Sequence, residues 1–498
     1  MNVDFSGIGS IRKRTGFQKL TTSEPNADDH IQGLFSYITS TVNDILYIAD
    51  GTLYKYNGSG GSTAITGGTF STSADVNAAQ VADRLYFFDG VTALSYYNGT
   101  AISTTGVTGA PTYPAQGIFF NQRQYINSTA NKDRVYYAQK IVAASGASTN
   151  TGTFTTGTDA GFFGFGQGYE VVGFAKQSSY LYIFCKTGIF RVEPVVNSGT
   201  LEHTSVTISN SIGCRAPRSI DNVGNDVYFL DSTIYSLGEV ANFTSLRTTN
   251  VSAKVANIFT GMSQADIAKA AAIYSTEHEA YLLAIKVGSS AYNDRVIGFS
   301  LAYKSWLLWD SLHVNSWLEF IDSSSVKHLY FGSDNDDSAY VYEAYQTTND
   351  DGAAINAYYY TKEFDSKTFD TEKIYQMWSV QFGGVYGEVT ISLLVEGVVV
   401  DTVTLTSGSS TAYADGLGSL PIGTFPFGLE YNSPDVSSTD AGINNDWRRH
   451  DLNGQEGTTF QFKFSNAVVG QSFEIKQALV RYIDFSDRPY KVLASREV

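Results

Sequence analysis

The chain has 498 residues, a formal net charge of −16 and only 16% charged residues. Such an acidic chain is unsuited to coating nucleic acid with its whole surface, and two cysteines, Cys185 and Cys214, are too few for a disulfide scaffold. We expect both cysteines to be buried as small hydrophobic residues. Hydrophobic residues make up 43% of the chain and glycines outnumber prolines 46 to 9, which favours a large core with many short turns.

Hydropathy gives an expectation of where the protein is made. The segment Met1–Gly7 lacks the apolar run of a secretion signal. No stretch approaches 18 consecutive apolar residues, so the sequence predicts no membrane span. We therefore expect synthesis in a cytoplasm, where the protein stays or is assembled into something that later leaves.

Residues 1–30 are expected to form an extended N-terminal segment with a basic patch at Arg12, Lys13 and Arg14. One interpretation is a solvated charged end beside a strand. The functional interpretation is a contact with DNA or with an acidic partner. In a β-propeller, an N-terminal strand can also close the ring by joining the last blade.

Residues 31–350 repeat a strand–turn–strand unit, best seen in Ile45–Gly58. Its Asp-Gly and Asn-Gly pairs supply the positive φ angles of tight hairpin turns. One residue per repeat marks similar strands at intervals of 39, 50, 46, 46, 54 and 48 residues. These markers are Leu46, Leu85, Val135, Leu181, Val227, Tyr281 and Leu329. The pattern predicts an all-β protein with a six- or seven-bladed β-propeller; the alternative is a generic all-β protein with aromatic strands.

Residues 249–270 interrupt the repeat. Val251, Val255 and Ile258 have helical spacing, and Ser263–Asp266 resembles a capping box. We predict one or two short helices inserted between blades, as an oligomer contact or as a lid over a blade edge.

Three of the five tryptophans, Trp306, Trp309 and Trp317, form a candidate aromatic contact cluster. Aromatic clusters of this kind can be platforms for sugar rings. On paired strands they are more often core or subunit-interface residues.

Residues 351–498 have longer, alternating strands. Glu388–Leu393 alternates polar and apolar residues, as half-buried antiparallel strands do. The sequence therefore predicts a separate antiparallel β-sandwich. Within it, Gly408–Asn444 is expected to be a long loop and a candidate contact arm.

No catalytic, cofactor or metal motif stands out. The six histidines are scattered without metal-ligand spacing. Asp334–Ser338 resembles the start of a calcium loop, but Ala339 replaces the expected glycine and Tyr345 the expected glutamate. A propeller glycosidase would need a carboxylate pair in its central channel, and the sequence singles out none. We predict no enzyme activity, no cofactor and no metal site.

Several short stretches carry a family resemblance. The run Ile212–Ile220, followed by Val227–Leu230 and Ile234–Leu237, resembles a segment of the tail hub or nozzle proteins of short-tailed bacteriophages. This family is also called packaged-DNA stabilisation or tail tubular proteins. Ile11–Phe17 is similar to its basic N-terminal segment, and Asp351–Ile355 to the passage into its C-terminal sheet domain. The chain departs from the pattern at Ser232-Thr233, where a turn glycine is expected, which bears on turn geometry.

The resemblance implies a structural virion protein of a phage tail, made in the host cytoplasm. It would form a homohexameric ring below the portal and adaptor, extend the DNA channel, and help to retain and release packaged DNA. Its implied partners are copies of itself, the portal or adaptor, tail fibre or tail-tip proteins, and viral DNA in transit. The alternatives are a carbohydrate-binding or carbohydrate-cleaving propeller at a tail tip, using the three tryptophans, and a host-side scaffold propeller.

Overall fold

The computed structural model describes 12 segments of the chain, which are residues 1–7, 9–22, 30–141, 151–157, 159–177, 179–197, 200–239, 246–334, 339–365, 371–406, 443–444 and 447–484. They are mostly β-strand and fall into two compact units. The ring unit is Lys19–Ala344, and the two-sheet unit combines Met1–Gln18 with Tyr345–Val498. Residues 1–18 of the predicted separate N-terminal segment therefore belong to the two-sheet unit.

The N-terminal strands are short, and the first two pair antiparallel with each other. They are β1 (Val3–Gly7), β2 (Ser10–Lys13) and β3 (Gly16–Lys19).

In the described part of the ring unit, seven four-stranded antiparallel sheets follow one another along the chain. The first three comprise β4 (Ile31–Ile38), β5 (Asn43–Ala49), β6 (Thr52–Tyr56), β7 (Ser62–Ala64); β8 (Asn77–Val81), β9 (Arg84–Phe88), β10 (Ser95–Tyr97), β11 (Ile102–Ser103); and β12 (Pro114–Phe120), β13 (Arg123–Ser128), β14 (Arg134–Tyr137), β15 (Gly161–Gly164).

The next two comprise β16 (Val171–Gln177), β17 (Tyr180–Cys185), β18 (Ile189–Asn197), β19 (Thr200–Ser209); and β20 (Asp221–Val223), β21 (Asp226–Leu230), β22 (Ile234–Glu239), β23 (Leu246–Asn250). The last two comprise β24 (Ala271–Ser275), β25 (Ala280–Ile285), β26 (Arg295–Ser300), β27 (Ser305–Asp310); and β28 (Val314–Ile321), β29 (Lys327–Ser333), β30 (Val341–Thr347) with β3. We call them sheets 1 to 7.

The repeat unit read from the sequence forms the predicted hairpin. Ala49 pairs with Thr52, which leaves Asp50 and Gly51 as a two-residue turn, and both have positive φ. Tyr47 and Tyr54 are direct cross-strand partners, and their rings stack at 5.4 Å between centroids. Local sequence therefore fixes this register.

The seven sheets form a closed series. The first strand of each sheet contacts the first strand of the next, and β28 contacts β4 in return. Apolar side chains fill the space between adjacent sheets, as when Leu46 and Ile48 of sheet 1 pack with Leu85 and Phe87 of sheet 2. A single sheet cannot bury both of its faces, whereas a closed series can.

Every seam between neighbouring sheets also has a hydrogen bond between a side chain and the backbone; in two of the seven, the backbone N–H donates to a carboxylate. In order around the series, the pairs are Gln80–Ile38, Asn77–Ala115, Asn127–Val171, Gln177–Asn225, Asp221–Tyr274, Glu319–Thr276 and Asn315–Ile31. Such bonds are each worth about 1 kcal/mol net. They satisfy backbone groups that the sheet ladders leave unpaired.

Sheet 7 takes its fourth strand from the start of the chain. Its order is β28-β29-β30-β3, as expected for a ring closed by an N-terminal strand. The backbone N–H of Leu20 continues this pairing by donating to the Val341 carbonyl at 2.8 Å. Residues distant in sequence are thus joined in one sheet.

The predicted helical insertion is present between β23 and β24. It consists of a 3-10 segment, Ala253–Phe259, and a short helix α1, Gln264–Lys269. Ser263 and Asp266 form the predicted capping box, with Ser263 Oγ accepting from the Asp266 N–H at 3.1 Å. The helical spacing that was predicted at Val255 does not give a regular helix, because this residue has a non-helical φ of −120° within the first segment. A further 3-10 turn is Pro217–Ser219.

The two-sheet unit contains two antiparallel sheets around one core. Buried side chains from both sheets, including Trp378, Phe382, Val389 and Phe462, form that core. One sheet has the order β1-β2-β38-β32-β35 with β36 also on β32, and the other β31-β37-β33-β34. These strands are β31 (Ala357–Tyr360), β32 (Lys373–Tyr386), β33 (Glu388–Val395), β34 (Val398–Thr406), β35 (Ile443–Asn444), β36 (Trp447–Gly457), β37 (Phe460–Asn466) and β38 (Ser472–Asp484).

The predicted alternation in Glu388–Leu393 holds, since Val389, Ile391 and Leu393 are fully buried. The candidate contact arm Gly408–Asn444 lies outside the described residues, except for Ile443–Asn444 in β35. Among the described residues, no helix is long and apolar enough to cross a membrane.

Candidate functional site

The basic patch predicted at the N-terminus is largely buried. Lys13 and Arg14 are each 2% exposed, and only Arg12 is exposed. The Lys13 ammonium donates to Asn466 Oδ1 at 2.6 Å and to the Val468 carbonyl at 3.1 Å. Burial lowers the pKa of Lys13 from 10.5 to about 8. A contact surface made of all three cations is therefore wrong for this chain, because two of them are used internally.

Arg14 forms an internal ion pair. Its guanidinium donates through Nη1 to Asp350 Oδ1 at 2.8 Å, through Nη2 to Asp350 Oδ2, and through Nε to Asn2 Oδ1 at 3.0 Å. Gly16 follows, and a Cβ there would lie 1.8 Å from the Asn349 carbonyl oxygen. Arg14 therefore fastens the N-terminal strands to the segment that contains Asp350.

The predicted tryptophan cluster is core structure. Trp309 and Trp317 are buried, and the Trp317 indole donates to the Ala271 carbonyl at 3.2 Å. Trp306 is partly buried and packs on Phe299, with 4.9 Å between ring centroids. The interpretation as a sugar platform is therefore wrong for Trp309 and Trp317, which have no exposed ring face to offer.

The buried cysteines behave as expected. Both are fully buried and unpaired, and burial raises the pKa of each thiol to about 12. Cys214 also positions the chain, since its N–H donates to the Cys185 carbonyl at 2.9 Å. The preceding Gly213 has no room for a side chain, because a Cβ would lie 2.2 Å from the same carbonyl.

The turn that follows Cys214 presents Arg218 to several sheets. Arg218 Nη1 donates to the Asn315 carbonyl at 2.7 Å, and Nη2 lies 2.9 Å from Asn315 Oδ1, 2.8 Å from the Lys269 carbonyl and 2.9 Å from Asp75 Oδ2. Arg218 lies just before the first strand of sheet 5, and Asp75 lies just before the first strand of sheet 2. Asn315 lies within the first strand of sheet 7. Sheets 2 and 5 are three steps apart in the closed series of seven, so Arg218 reaches across the end where the first strands begin.

We call His30, Asp75, Arg218, Asn293, Asn315 and Asp334 the mouth network. Asn315 Nδ2 donates to Asp75 Oδ1 at 2.7 Å, and His30 Nε2 lies 3.9 Å from the same oxygen. The Asn293 N–H donates to Asp334 Oδ2 at 2.6 Å, and its side-chain amide donates to the Lys269 and Val314 carbonyls. The polar groups of this network are thus held mainly by one another and by strand ends.

Asp334 is the most perturbed carboxyl of the mouth network. Burial raises its pKa to about 6, opposed by the Asn293 N–H and by the nearby Arg218 and His30. The described residues contain no group of three or more His, Cys, Asp or Glu side chains that could hold a metal ion. Of the acidic run compared with a calcium loop, residues 335–338 lie outside the described residues.

The titration of Asp334 gives a testable pH dependence. Its folded-state pKa of about 6 exceeds its ordinary value of 3.8, so the folded chain binds more protons in this window. The stability from Asp334 is therefore fully present below about pH 4 and is lost as the pH rises through about 6. Asp334→Asn should gain stability relative to the wild type between about pH 4 and pH 7, in urea unfolding at a series of pH values. If the free energies of unfolding of the two proteins run parallel across this pH range, the prediction is contradicted. Glu277→Gln, which changes an exposed carboxylate, serves as the control.

The mouth network was not predicted from the sequence, although two of its residues lie in stretches with a recognisable pattern. Arg218 lies inside the run that carries the phage resemblance, and Asp334 begins the acidic run. Asp75 stands in a polar loop with no distinguishing pattern. The network depends on the fold, because its residues are distant in sequence and meet only at one end of the ring unit.

An open cavity of about 490 Å³ lies beside the loop from Thr104 to Tyr113. It is lined by Ala93, Leu94, Thr104, Val107, Gly109, Ala110, Pro111, Thr112 and Tyr113. These residues carry no acid or base for catalysis at neutral pH.

No protein-family model and no curated protein matches the chain. Similar solved structures include a catalytically inactive virginiamycin B lyase from Staphylococcus aureus with quinupristin, at 11% identity and a TM-score of 0.39, over 66% of this chain and 98% of that one. They also include PorZ, a surface component of the type-IX secretion system of Porphyromonas gingivalis, at 10% identity and a TM-score of 0.38, over 66% of this chain and 38% of that one. Neither likeness bears on function. The class that the fold itself defines is a nearly all-β protein with a propeller-like unit.

Proposed function

We propose that this chain is a structural subunit of a bacteriophage tail, a ring-forming hub or nozzle protein without catalytic activity. The observation that carries the proposal is the role of the run Ile212–Ile220, on which the phage resemblance rests. In the structure this run is architectural, since it places Cys214 in the core and sends Arg218 across the mouth of the ring unit. The residues that resemble the family thus build a scaffold and leave no reactive group exposed for chemistry.

In this proposal the ring unit is a seven-bladed β-propeller and the two-sheet unit a β-sandwich. Support for the blade number comes from seven four-stranded sheets whose first strands contact in a closed order. Support for the sandwich comes from two antiparallel sheets that share one buried core around Trp378 and Phe462.

The mouth network supports one choice of DNA channel within this proposal. Arg218 and Asp75 are bonded across one end of the ring unit, so a duplex would have to break this ion pair to pass through a single copy. We therefore place the DNA channel at the centre of a ring of several copies. The net charge of −16 suits a wall along which DNA slides without adhering. Lys13 and Arg14 are bonded internally, so the proposal assigns them no contact with DNA.

The carbohydrate-binding alternative loses its structural basis, because two of its three tryptophans are buried. Cleavage of a sugar would further require two carboxyl groups flanking one substrate position. In the mouth network, Asp75 is engaged by Arg218 and Asn315 instead.

Native mass spectrometry of the purified chain tests the proposal. We expect a closed homo-oligomer, six copies by the family resemblance, in equilibrium with free chain. Comparison with virion fractions should find the same chain in tail-containing particles. A protein that stays monomeric at micromolar concentrations and is absent from particles would overturn the proposed function.

A further inference from the structure

One hairpin of the ring unit is longer than its neighbours. Strands β18 and β19 pair over nine and ten residues, whereas the neighbouring β17 pairs with β18 only as far as Val192. Residues 193–197 and 200–204 therefore extend beyond the sheet as a two-stranded ribbon. A ribbon of two strands is marginally stable in water unless one face is packed.

The two faces of this hairpin differ. On one face His203 packs against the ring unit, with its imidazole 4.3 Å from the Phe163 ring and 4.5 Å from the Tyr137 ring. On the opposite face, which we call the hairpin face, five side chains are exposed. It presents Glu193, Val195, Glu202, Thr204 and Val206, which are on one side because Glu193 pairs with Thr204 and Val195 with Glu202.

The hairpin face is therefore apolar and acidic together. Val195 is 41% exposed and Val206 is 44% exposed. Glu193 and Glu202 lie beside them and are also exposed. The cation nearest in register, Arg191, lies over the Tyr180 ring at 4.4 Å.

A second exposed face, with cations in place of acids, lies on β38 of the two-sheet unit. Leu479 is 48% exposed and Ile483 is 40% exposed, with the exposed Arg481 between them. Lys476, also exposed, lies near the register shift of the same strand. Alternating residues on a strand share a side, so Leu479, Arg481 and Ile483 form one surface. We call these residues, with Lys476, the β38 face.

Among the residues that the structure describes, the carboxylates nearest to the β38 face in register are at its margins. Asp451 lies on β36, separated from Arg481 by Met377 of β32. Glu474, at the other end, accepts a hydrogen bond from Ser6 Oγ at 2.8 Å. The side chains that project from the centre of this face are therefore cationic and apolar.

We propose that the hairpin face of one copy packs on the β38 face of a second copy of this chain. Two carboxylates and two valines meet two cations, a leucine and an isoleucine, so charge and hydrophobicity are complementary. The two faces are different surfaces, so the contact is head-to-tail, and contacts of this kind generate rings when the rotation closes. The inference rests on the proposed ring-forming function and names its subunit interface.

Charge reversal with rescue tests this interface in the full-length chain. The variants are Glu193→Lys with Glu202→Lys, Lys476→Glu with Arg481→Glu, and all four substitutions together. Each double variant should weaken assembly at least about tenfold, because like charges then face each other. The fourfold variant should recover assembly. Sedimentation velocity at low and moderate salt measures it, with the exposed pair Glu277→Lys and Lys304→Glu as the control that leaves assembly unchanged.

The outcomes separate this interface from the function it rests on. If the wild type forms rings and both double variants assemble as well as the control, the interface is overturned while the proposed function stands. If the double variants fail and the fourfold variant also fails while remaining folded by circular dichroism, the pairing of these two faces is overturned. If the wild type forms no ring, the interface is overturned, and the proposed function is overturned with it when virion fractions also lack the chain.

Discussion

Arg14→Ala should lower the free energy of unfolding of the two-sheet unit by about 3–5 kcal/mol, the range for breaking a buried ion pair by removing one partner. Arg14 is 2% exposed, and its guanidinium holds both carboxylate oxygens of Asp350 as well as Asn2. Without it, the Asp350 carboxylate remains largely buried and loses its counter-charge. Scanning calorimetry of the full chain should show the transition of this unit shifted to lower temperature.

The neighbouring Arg12 gives a matched control for Arg14. It has the same side chain two positions earlier but is exposed, so Arg12→Ala should change stability by about 0.5 kcal/mol or less. A double-mutant cycle with Asp350→Ala should assign most of the Arg14 effect to the pair. If the Arg12 and Arg14 substitutions lower the stability equally, the buried ion pair is contradicted and an exposed basic patch is supported.

Arg218→Ala should destabilise the ring unit by about 2–4 kcal/mol, because it leaves Asp75, Asn315 and the Lys269 carbonyl without their shared donor. Both cysteines of the chain lie buried in this unit. The rate at which a thiol reagent labels them under native conditions therefore reports opening of the ring unit specifically. We expect labelling to accelerate in the variant by the factor that corresponds to its loss of stability.

The matched control for Arg218 is Arg215, in the same turn. Arg215 pairs with Asp231 at 2.9 Å, but its side chain is 38% exposed against 9% for Arg218. Arg215→Ala should therefore cost about 1 kcal/mol or less. Arg218→Lys should remain destabilising, because an ammonium cannot reproduce the forked contacts of a guanidinium. If Arg218→Ala leaves the rate of thiol labelling unchanged, the contacts of Arg218 do not stabilise the ring unit as proposed.

The features predicted from sequence are those that local chemistry determines. The Asp50-Gly51 turn, the alternation in Glu388–Leu393 and the capping box at Ser263 each depend on residues a few positions apart. The seven markers of the repeat fall one in each of the seven sheets. Val135 lies in the third strand of its sheet and the others in the second, which accounts for the long step of 50 residues before it.

The features missed depend on contacts between distant residues. Three consecutive cations indicate a solvated surface unless partners are known, and the partners of Lys13 and Arg14 are Asn466 and Asp350. Arg218 likewise meets Asp75 only because the sheets form a closed series. Burial of charge is therefore a property of the fold that a single sequence does not display.

Electron microscopy of phage particles bearing gold-labelled antibody against this chain tests the central claim most directly. We expect label at the tail, below the portal vertex, in particles in which mass spectrometry detects the chain. An antibody raised to the exposed β33–β34 turn, Glu396-Gly397, and the exposed Val398 beside it would reach an accessible epitope. Label confined to host cells, with particles unlabelled and lacking the chain, would contradict a structural role in the virion.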